Sequence, residues 1–417
     1  DGVTLAETPH RNKTSQLQFG SDYNHGGIVD SVELLICPAV RIVDLYLRPN
    51  PKTGEILVTA SVINSLSRQH QVTFRTSVAP TSNGRVISSD TVSALLPPGV
   101  SAVHSKLAVS NPRLWDIDDP FLYQVTAELK ADVSSVTDSA SSRCGYRDFR
   151  IDNGYFKLNG RRLFVRSSHT GNCSPVSFRL PYEHQWFQRD LLFAKTAGFN
   201  CIRFIAGLAT REQLEFCDQI GLLVFEESYA AWMLKPSPKM TERFDRSVKE
   251  MILRDRNHPS VVAWGLLNET HDGEVFRHAT SCLPLIRGLD ESRLVLLNSG
   301  RFDGQLQIGS ASNPDSAEWQ LLLGADGVES TEARPTIYPS CVGAGDAHIY
   351  PQVPHKADAI ELLRSFGNGS KPFFLSEYGI ASPVDLPRVI RNYEQRKQAF
   401  CSDANFYRMG LQQFEID

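Results

Sequence analysis

The chain has 417 residues, a formal net charge of −4, 41% hydrophobic and 22% charged residues. That length suits two or three domains with sizeable cores, and the near-balanced charge gives no electrostatic case for nucleic acid or an anionic membrane as partner. No apolar run approaches the roughly 20 residues that span a bilayer, so no membrane partner is expected.

Residues 1–39 are polar and glycine-containing and end in an apolar, strand-like run at 28–36. They are too short for a domain and read as the C-terminal remnant of a larger one. The opening Asp1-Gly2-Val3-Thr4-Leu5 has no initiator methionine and neither the basic head nor the apolar segment of a signal peptide. The natural N-terminus is therefore expected upstream. Residues 40–143 change to period-two patterning. Ile56, Val58, Ala60 and Val62 alternate with Leu57, Thr59 and Ser61, and Val125, Ala127 and Leu129 with Thr126, Glu128 and Lys130. One dry and one wet face marks antiparallel strands. Pro49-Asn50-Pro51, Ser82-Asn83-Gly84 and Pro97-Pro98-Gly99 punctuate them as turns, and the stretch suits an immunoglobulin-like β-sandwich.

From 144 to 417 apolar strands alternate with helices. Strands are expected at 163–168, 199–205, 222–226, 260–267, 294–298, 346–350 and 373–377. Between them Phe244, Val248, Met251 and Ile252, and then Ala359, Leu362, Leu363 and Phe366, form helical stripes. Repeated strand–helix units imply parallel strands with crossovers, in an open doubly wound sheet or a closed (β/α)8 barrel. A barrel needs an eighth strand; either it lies beyond Asp417 or the sheet is open. Gly343-Ala344-Gly345 is only a fragment of a dinucleotide fingerprint, and no cofactor is expected. Among the eight cysteines none forms a Cys-x-x-Cys pair. Cys37, Cys201 and Cys217 sit in apolar runs and read as buried free thiols, which favours a reducing, cytoplasmic setting.

In a parallel barrel chemistry collects at the C-terminal strand ends. Those ends carry His169 and Asn172, Arg203, Glu226-Glu227-Ser228 followed by Trp232, Asn268-Glu269, Asn298, His348 and Tyr350, and Glu377-Tyr378. Glu269 and Glu377 each follow an apolar strand, and strands four and seven face one another across a closed barrel. Two unlike carboxyls, one protonated and one ionised, are what glycosidic bond cleavage requires, with a separation of about 5–5.5 Å for retention and about 6.5–9.5 Å for inversion. Arg203 could keep one carboxylate ionised, or simply neutralise Glu226 or Glu227. Tyr350 or His348 could hydrogen-bond other members. Trp232 reads equally as sugar platform or core, His169 and Asn172 equally as site or turn residues, and His258 before Pro259 as structural. Glu226, Glu227 and His348 form a weaker alternative, a metal set, and no metal is expected.

These residues carry a resemblance. The run Arg254-Asp255-Arg256-Asn257-His258-Pro259-Ser260-Val261-Val262-Ala263-Trp264-Gly265-Leu266-Leu267-Asn268-Glu269 closely resembles the acid/base signature of glycoside hydrolase family 2, and Phe374-Leu375-Ser376-Glu377-Tyr378-Gly379 its nucleophile segment. Gly26-Gly27-Ile28, Trp115 to Tyr123, and Phe156-Lys157-Leu158-Asn159-Gly160 resemble the family's domain junctions. The resemblance implies a jelly roll, of which 1–39 would be the remnant, an immunoglobulin-like sandwich at 40–143 and a (β/α)8 barrel at 144–417, lacking its last strand. It implies a retaining β-glycosidase, β-galactosidase as the first guess, acting on a carbohydrate substrate, with homo-oligomerisation left open. By resemblance Glu269 is the general acid/base and Glu377 the nucleophile. Asn268 contacts the sugar 2-hydroxyl, and Arg203 with His348 or Tyr350 supports the nucleophile. The family's His-Tyr-Pro run after the second-strand arginine is replaced by Phe204-Ile205-Ala206-Gly207, and the Asn-x-Lys feature of glucuronidases is not evident. A non-catalytic carbohydrate-binding or structural protein on the same fold is the alternative.

Overall fold

The computed structural model describes residues 32–133, 136–170, 184–205, 207–228, 236, 238–301, 303, 305, 307–320, 346–351, 355–365, 374–379 and 385–416. The first unit is an antiparallel sandwich of β1 (Val40–Pro49), β2 (Glu55–Asn64), β3 (His70–Pro80), β4 (Ser88–Leu96), β5 (Gly99–Ala108), β6 (Tyr123–Ala131) and β7 (Thr137–Cys144). One sheet runs β1-β2-β5 and the other β4-β3-β6-β7. The alternating sets meet as expected: Ile56, Val58, Ala60 and Val62 of one sheet and Val72, Phe74, Val125, Ala127 and Leu129 of the other are buried in one core, the outcome that period-two patterning dictates when only one face is covered. The three turn signals fall in the β1–β2, β3–β4 and β4–β5 links.

A small sheet of β8 (Phe149–Asp152), β9 (Tyr155–Leu158) and β10 (Arg161–Arg162) follows. Its Phe149, Ile151 and Leu158 share a core with Leu223, Phe225, Val262, Ala263, Leu294 and Leu296, so it stoppers the base of the parallel unit. That unit runs β11 (Ser167–Thr170), α1 (His184–Thr196), β12 (Cys201–Phe204), α2 (Arg211–Ile220), β13 (Leu223–Glu227), α3 (Met240–Asp255), β14 (Val261–Asn268), α4 (Glu274–Ser281), α5 (Leu283–Leu289), β15 (Leu294–Ser299), β16 (Ala311–Ser312), β17 (Ala347–Ile349), α6 (Ala357–Ser365), β18 (Leu375–Tyr378), α7 (Leu386–Gln395) and α8 (Ser402–Ile416). Strands β11 to β15 are parallel neighbours in chain order, β16 adds an antiparallel edge, and β17-β18 form a separate parallel pair. Every residue of β12 to β15 is buried, because helices cover one face and the barrel interior the other. All seven expected strands are present; an eighth that closes the barrel is not among the described residues.

The sandwich grips the N-terminal ends of these strands, opposite the end where chemistry is expected. Asn257 accepts from the Leu47 amide at 2.9 Å and donates to the Leu45 carbonyl at 2.7 Å and to Ser142 Oγ at 3.0 Å. Arg147 donates to the carbonyls of Pro259, Ser292 and Val261. Arg256 lies over the Tyr46 ring at 3.9 Å and pairs with Asp44 at 2.5 Å. His258 Nδ1 sits 2.6 Å from Asp218 Oδ2, whose other oxygen accepts from the Ser260 amide, so His258 is a structural residue.

Three expectations fail. Residues 32–36 form no strand, and Val32, Leu34, Leu35 and Ile36 are exposed, since no described strand pairs with them. Cys37 on the same stretch is exposed, whereas Cys201 and Cys217 are free and buried. The first barrel strand starts at Ser167 and not at 163, because Arg161 and Arg162 pair back onto β9.

Candidate active site

The site is assembled from the C-terminal ends of β12, β13, β14, β15, β17 and β18. Strand β14 delivers Asn268 and then Glu269, whose φ of +50° places a non-glycine residue in the left-handed region. Two contacts hold that turn. The Glu269 amide donates to the Ser299 carbonyl at 2.7 Å, and the Asn298 side chain clasps Thr270, accepting from its amide and donating to its carbonyl. The conformation ends the strand at the glutamate. A strained residue held by its surroundings is a mark of function.

Arg203, 2% exposed, is the hub. Its Nε donates to Glu227 Oε1 at 2.7 Å, one terminal nitrogen to Glu377 Oε1 at 3.1 Å, and the other to Asn268 Oδ1 at 2.7 Å. Burial opposes its charge, but the carboxylates of Glu227, Glu377 and Asp346 outweigh burial and hold the guanidinium above its ordinary value. Glu377 also accepts from the Tyr350 phenol on Oε2. Burial, then the charge of Glu377, push that phenol well above its usual range, so Tyr350 remains a donor.

Glu269 stands differently. Its Oε1 lies 2.6 Å from His348 Nδ1, and its side chain is 15% exposed. The His348 ring is fully buried; its Nε2 is 3.2 Å from Ser299 Oγ and 3.6 Å from Glu377 Oε1. One ligand atom each of Glu269, His348 and Glu377 lies within 4.8 Å of the others. Below the histidine, Asp346 accepts from the Gly300 amide, from Ser299 Oγ and from Ser376 Oγ. Gly300, at φ +63°, faces the imidazole so closely that a Cβ would meet His348 Nδ1 at 2.4 Å.

Of the expected residues, the structure gathers Glu269, Glu377, Asn268, Arg203, His348 and Tyr350. His169 is exposed on β11, in register with Arg203, which puts it on the rim. Trp232, Asn172 and the Gly343-Ala344-Gly345 fragment lie outside the described residues. Arg203 pairs with Glu227 but not with Glu226. Glu226 faces the helical layer, where it accepts from the Ala209 amide and meets Arg254, so Glu226, Glu227 and His348 form no joint metal set. Nothing in the sequence singled out Asp346, Ser299 or Ser376; their types are common and only the strand register brings them together. Among the described residues a second convergent group, Asp245, His278 and Cys282, lies on the helical layer.

Chemically, the cluster presents one carboxylate clamped by a guanidinium and a phenol, and a second that among the described residues pairs with an imidazole. The Asn268 amide is oriented by Arg203, and its Nδ2 is buried with no partner among the described residues. An unfilled buried donor is costly unless a ligand completes it.

Comparison with known proteins gives the family of both regions of the chain. A family model described as glycosyl hydrolases family 2, TIM barrel domain, matches residues 149–402, and one described as glycosyl hydrolases family 2 matches residues 40–147. A β-galactosidase of Priestia megaterium is 26% identical over 312 residues, which are 70% of this chain and 30% of that protein. A family 2 glycosyl hydrolase structure from Bacteroides cellulosilyticus superposes with a TM-score of 0.57 at 23% identity, over 62% of this chain and 35% of the other. A β-glucuronidase structure from Parabacteroides merdae does so with a TM-score of 0.54 at 26% identity, over 62% and 33%. The chain thus spans about a third of the length of these relatives.

Proposed function

The chain belongs to glycosyl hydrolase family 2, and from that membership we propose that the protein carrying it hydrolyses terminal β-linked sugars with retention, Glu377 acting as nucleophile and Glu269 as general acid/base. The observation that carries this reading is the unlike surroundings of two glutamates whose oxygens approach within 4.8 Å. A nucleophile must be anionic, and Arg203 and Tyr350 both donate to Glu377. A general acid must hold and release a proton, and Glu269 shares its Oε1 with the one imidazole in the cluster. The close approach favours direct attack on the anomeric carbon over an intervening water. Glu377 forms the C–O bond as the aglycone bond breaks and Glu269 protonates the leaving oxygen. Glu269 then takes a proton from water as water displaces Glu377. Asn268 Nδ2 supplies a donor for the sugar 2-hydroxyl.

The Priestia relative makes a β-galactoside the first substrate to try, with β-glucuronides, named in several structural relatives, as the next. A panel of aryl β-glycosides tests the reading. Glu377→Gln is expected to lose about a thousandfold or more in kcat. Glu269→Ala is expected to lose about 10²–10⁴-fold on poor leaving groups but far less on activated aryl ones. Proton NMR of the first-formed product should show the β-anomer. Full activity in Glu377→Gln, or an α-anomer, rejects the assignment.

A further inference from the structure

We propose that Asp245, His278 and Cys282 form a binding site for a divalent ion of the zinc class, on the helical layer and separate from the glutamate cluster. His278 lies on α4 and Cys282 four residues later at the α4–α5 junction, a spacing that puts both on one face. Asp245 reaches them from α3. His278 Nε2 is 2.7 Å from Asp245 Oδ1 and 3.5 Å from Cys282 Sγ, and Sγ is 3.4 Å from Asp245 Oδ1.

The pattern separates two readings. A proton relay uses both imidazole nitrogens, one toward the carboxylate and the other toward the thiol. Here the same Nε2 meets both partners, so the three donor atoms converge on one point. Zinc–ligand bonds of about 2.0–2.3 Å at tetrahedral angles set sulfur and nitrogen, or sulfur and oxygen, about 3.5 Å apart and nitrogen and oxygen about 3.3 Å apart. The two sulfur edges already have that length. Only the His278–Asp245 edge must open, by about 0.6 Å, as the ion replaces their hydrogen bond. One imidazole, one thiolate and one carboxylate are the donor types that borderline-soft ions select, in preference to magnesium or calcium. The Phe244 ring packs nearly perpendicular to His278 with centroids 5.4 Å apart and restricts the imidazole plane. Cys282 is buried while the Asp245 side chain is 40% exposed, which leaves a solvent-facing side for a water as fourth ligand. Coordination breaks the S–H bond, forms the sulfur–metal bond and releases the proton to solvent.

The bound ion would tie α3 to the α4–α5 junction and stabilise the native state by mass action. Cobalt(II) titration of the whole protein tests this. One equivalent should produce a sulfur-to-cobalt charge-transfer band that Cys282→Ser abolishes. Asp245→Asn, at a half-exposed position that folding tolerates, and His278→Gln should retain the thiol yet weaken cobalt binding at least about tenfold. Zinc should raise the unfolding temperature of the parent but not of Asp245→Asn. The glutamate cluster offers oxygen and nitrogen donors only, so it cannot produce the band. Absence of a thiolate band, a band that survives Cys282→Ser, or unchanged cobalt affinity in both other variants overturns the proposal.

Discussion

Arg203 touches both catalytic candidates' surroundings, directly through Glu377 and indirectly through the Asn268 amide beside Glu269. A lysine there would keep the charge but lose the fork that serves three acceptors at once. Arg203→Lys is therefore expected to lower kcat/KM about a hundredfold or more while the fold survives, measured on the best aryl glycoside. Tyr350→Phe removes one of two donors to Glu377 and should cost about a hundredfold in kcat. Because the phenol is held above its ordinary value by burial and by Glu377, it does not ionise near neutrality, and the alkaline limb of the pH profile should be unchanged in that variant. Asp290, far from the site, supports stability. Burial opposes its charge, but Arg293, Ser292 and Trp264 hold it down at about 2 against an ordinary 3.8. A carboxylate lowered in the folded state contributes above its unfolded value and loses that contribution as pH falls from about 4 toward 2. Asp290→Asn should cost about 2 kcal/mol at neutral pH, and the difference from the parent should vanish across that acid window, followed by urea unfolding.

Single elements place these side chains by their ends. Helix α2 begins at a capping box between Thr210 and Gln213 and stops at Gly221, at φ +69°, where a Cβ would meet the Ile117 carbonyl at 2.3 Å. The turn after β15 works similarly for the site. Gly300→Ala would both strain a left-handed backbone and displace His348, so two losses are expected together: about 1 kcal/mol or more of stability, and a fall in kcat that exceeds any change in KM. Thermal melts and steady-state kinetics on one preparation separate them. The central strands are legible as continuous apolar runs, because β12 to β15 are buried on both faces and rich in Val and Leu. The boundary of β11 is not, since Arg161 and Arg162 are claimed by β9 through pairing that no local pattern records.

In the molecule as a whole, the long signature from Arg254 to Glu269 divides into two tasks. Only Asn268 and Glu269 reach the site. Arg256, Asn257 and His258 clasp the sandwich and the base of the barrel. Asn257→Ala removes three hydrogen bonds across that junction at about 0.5–1.5 kcal/mol each. Calorimetry should then show one unfolding transition separating toward two, with little change in KM. Local pattern tells the sandwich from the strand–helix region and marks the two glutamates, because burial on one face leaves alternation in the sequence and burial on both leaves an unbroken apolar run that a charged residue ends. It also proposes Arg203, His348 and Tyr350 as supports, since charged and aromatic groups at strand ends are not needed by a core. Which carboxylate Arg203 and Tyr350 clamp, which one His348 faces, and the roles of Asp346, Ser299 and Asn298 arise only when strands distant in the chain come into register. Hydrogen bonds of a few ångströms across such separations depend on packing and leave no local trace.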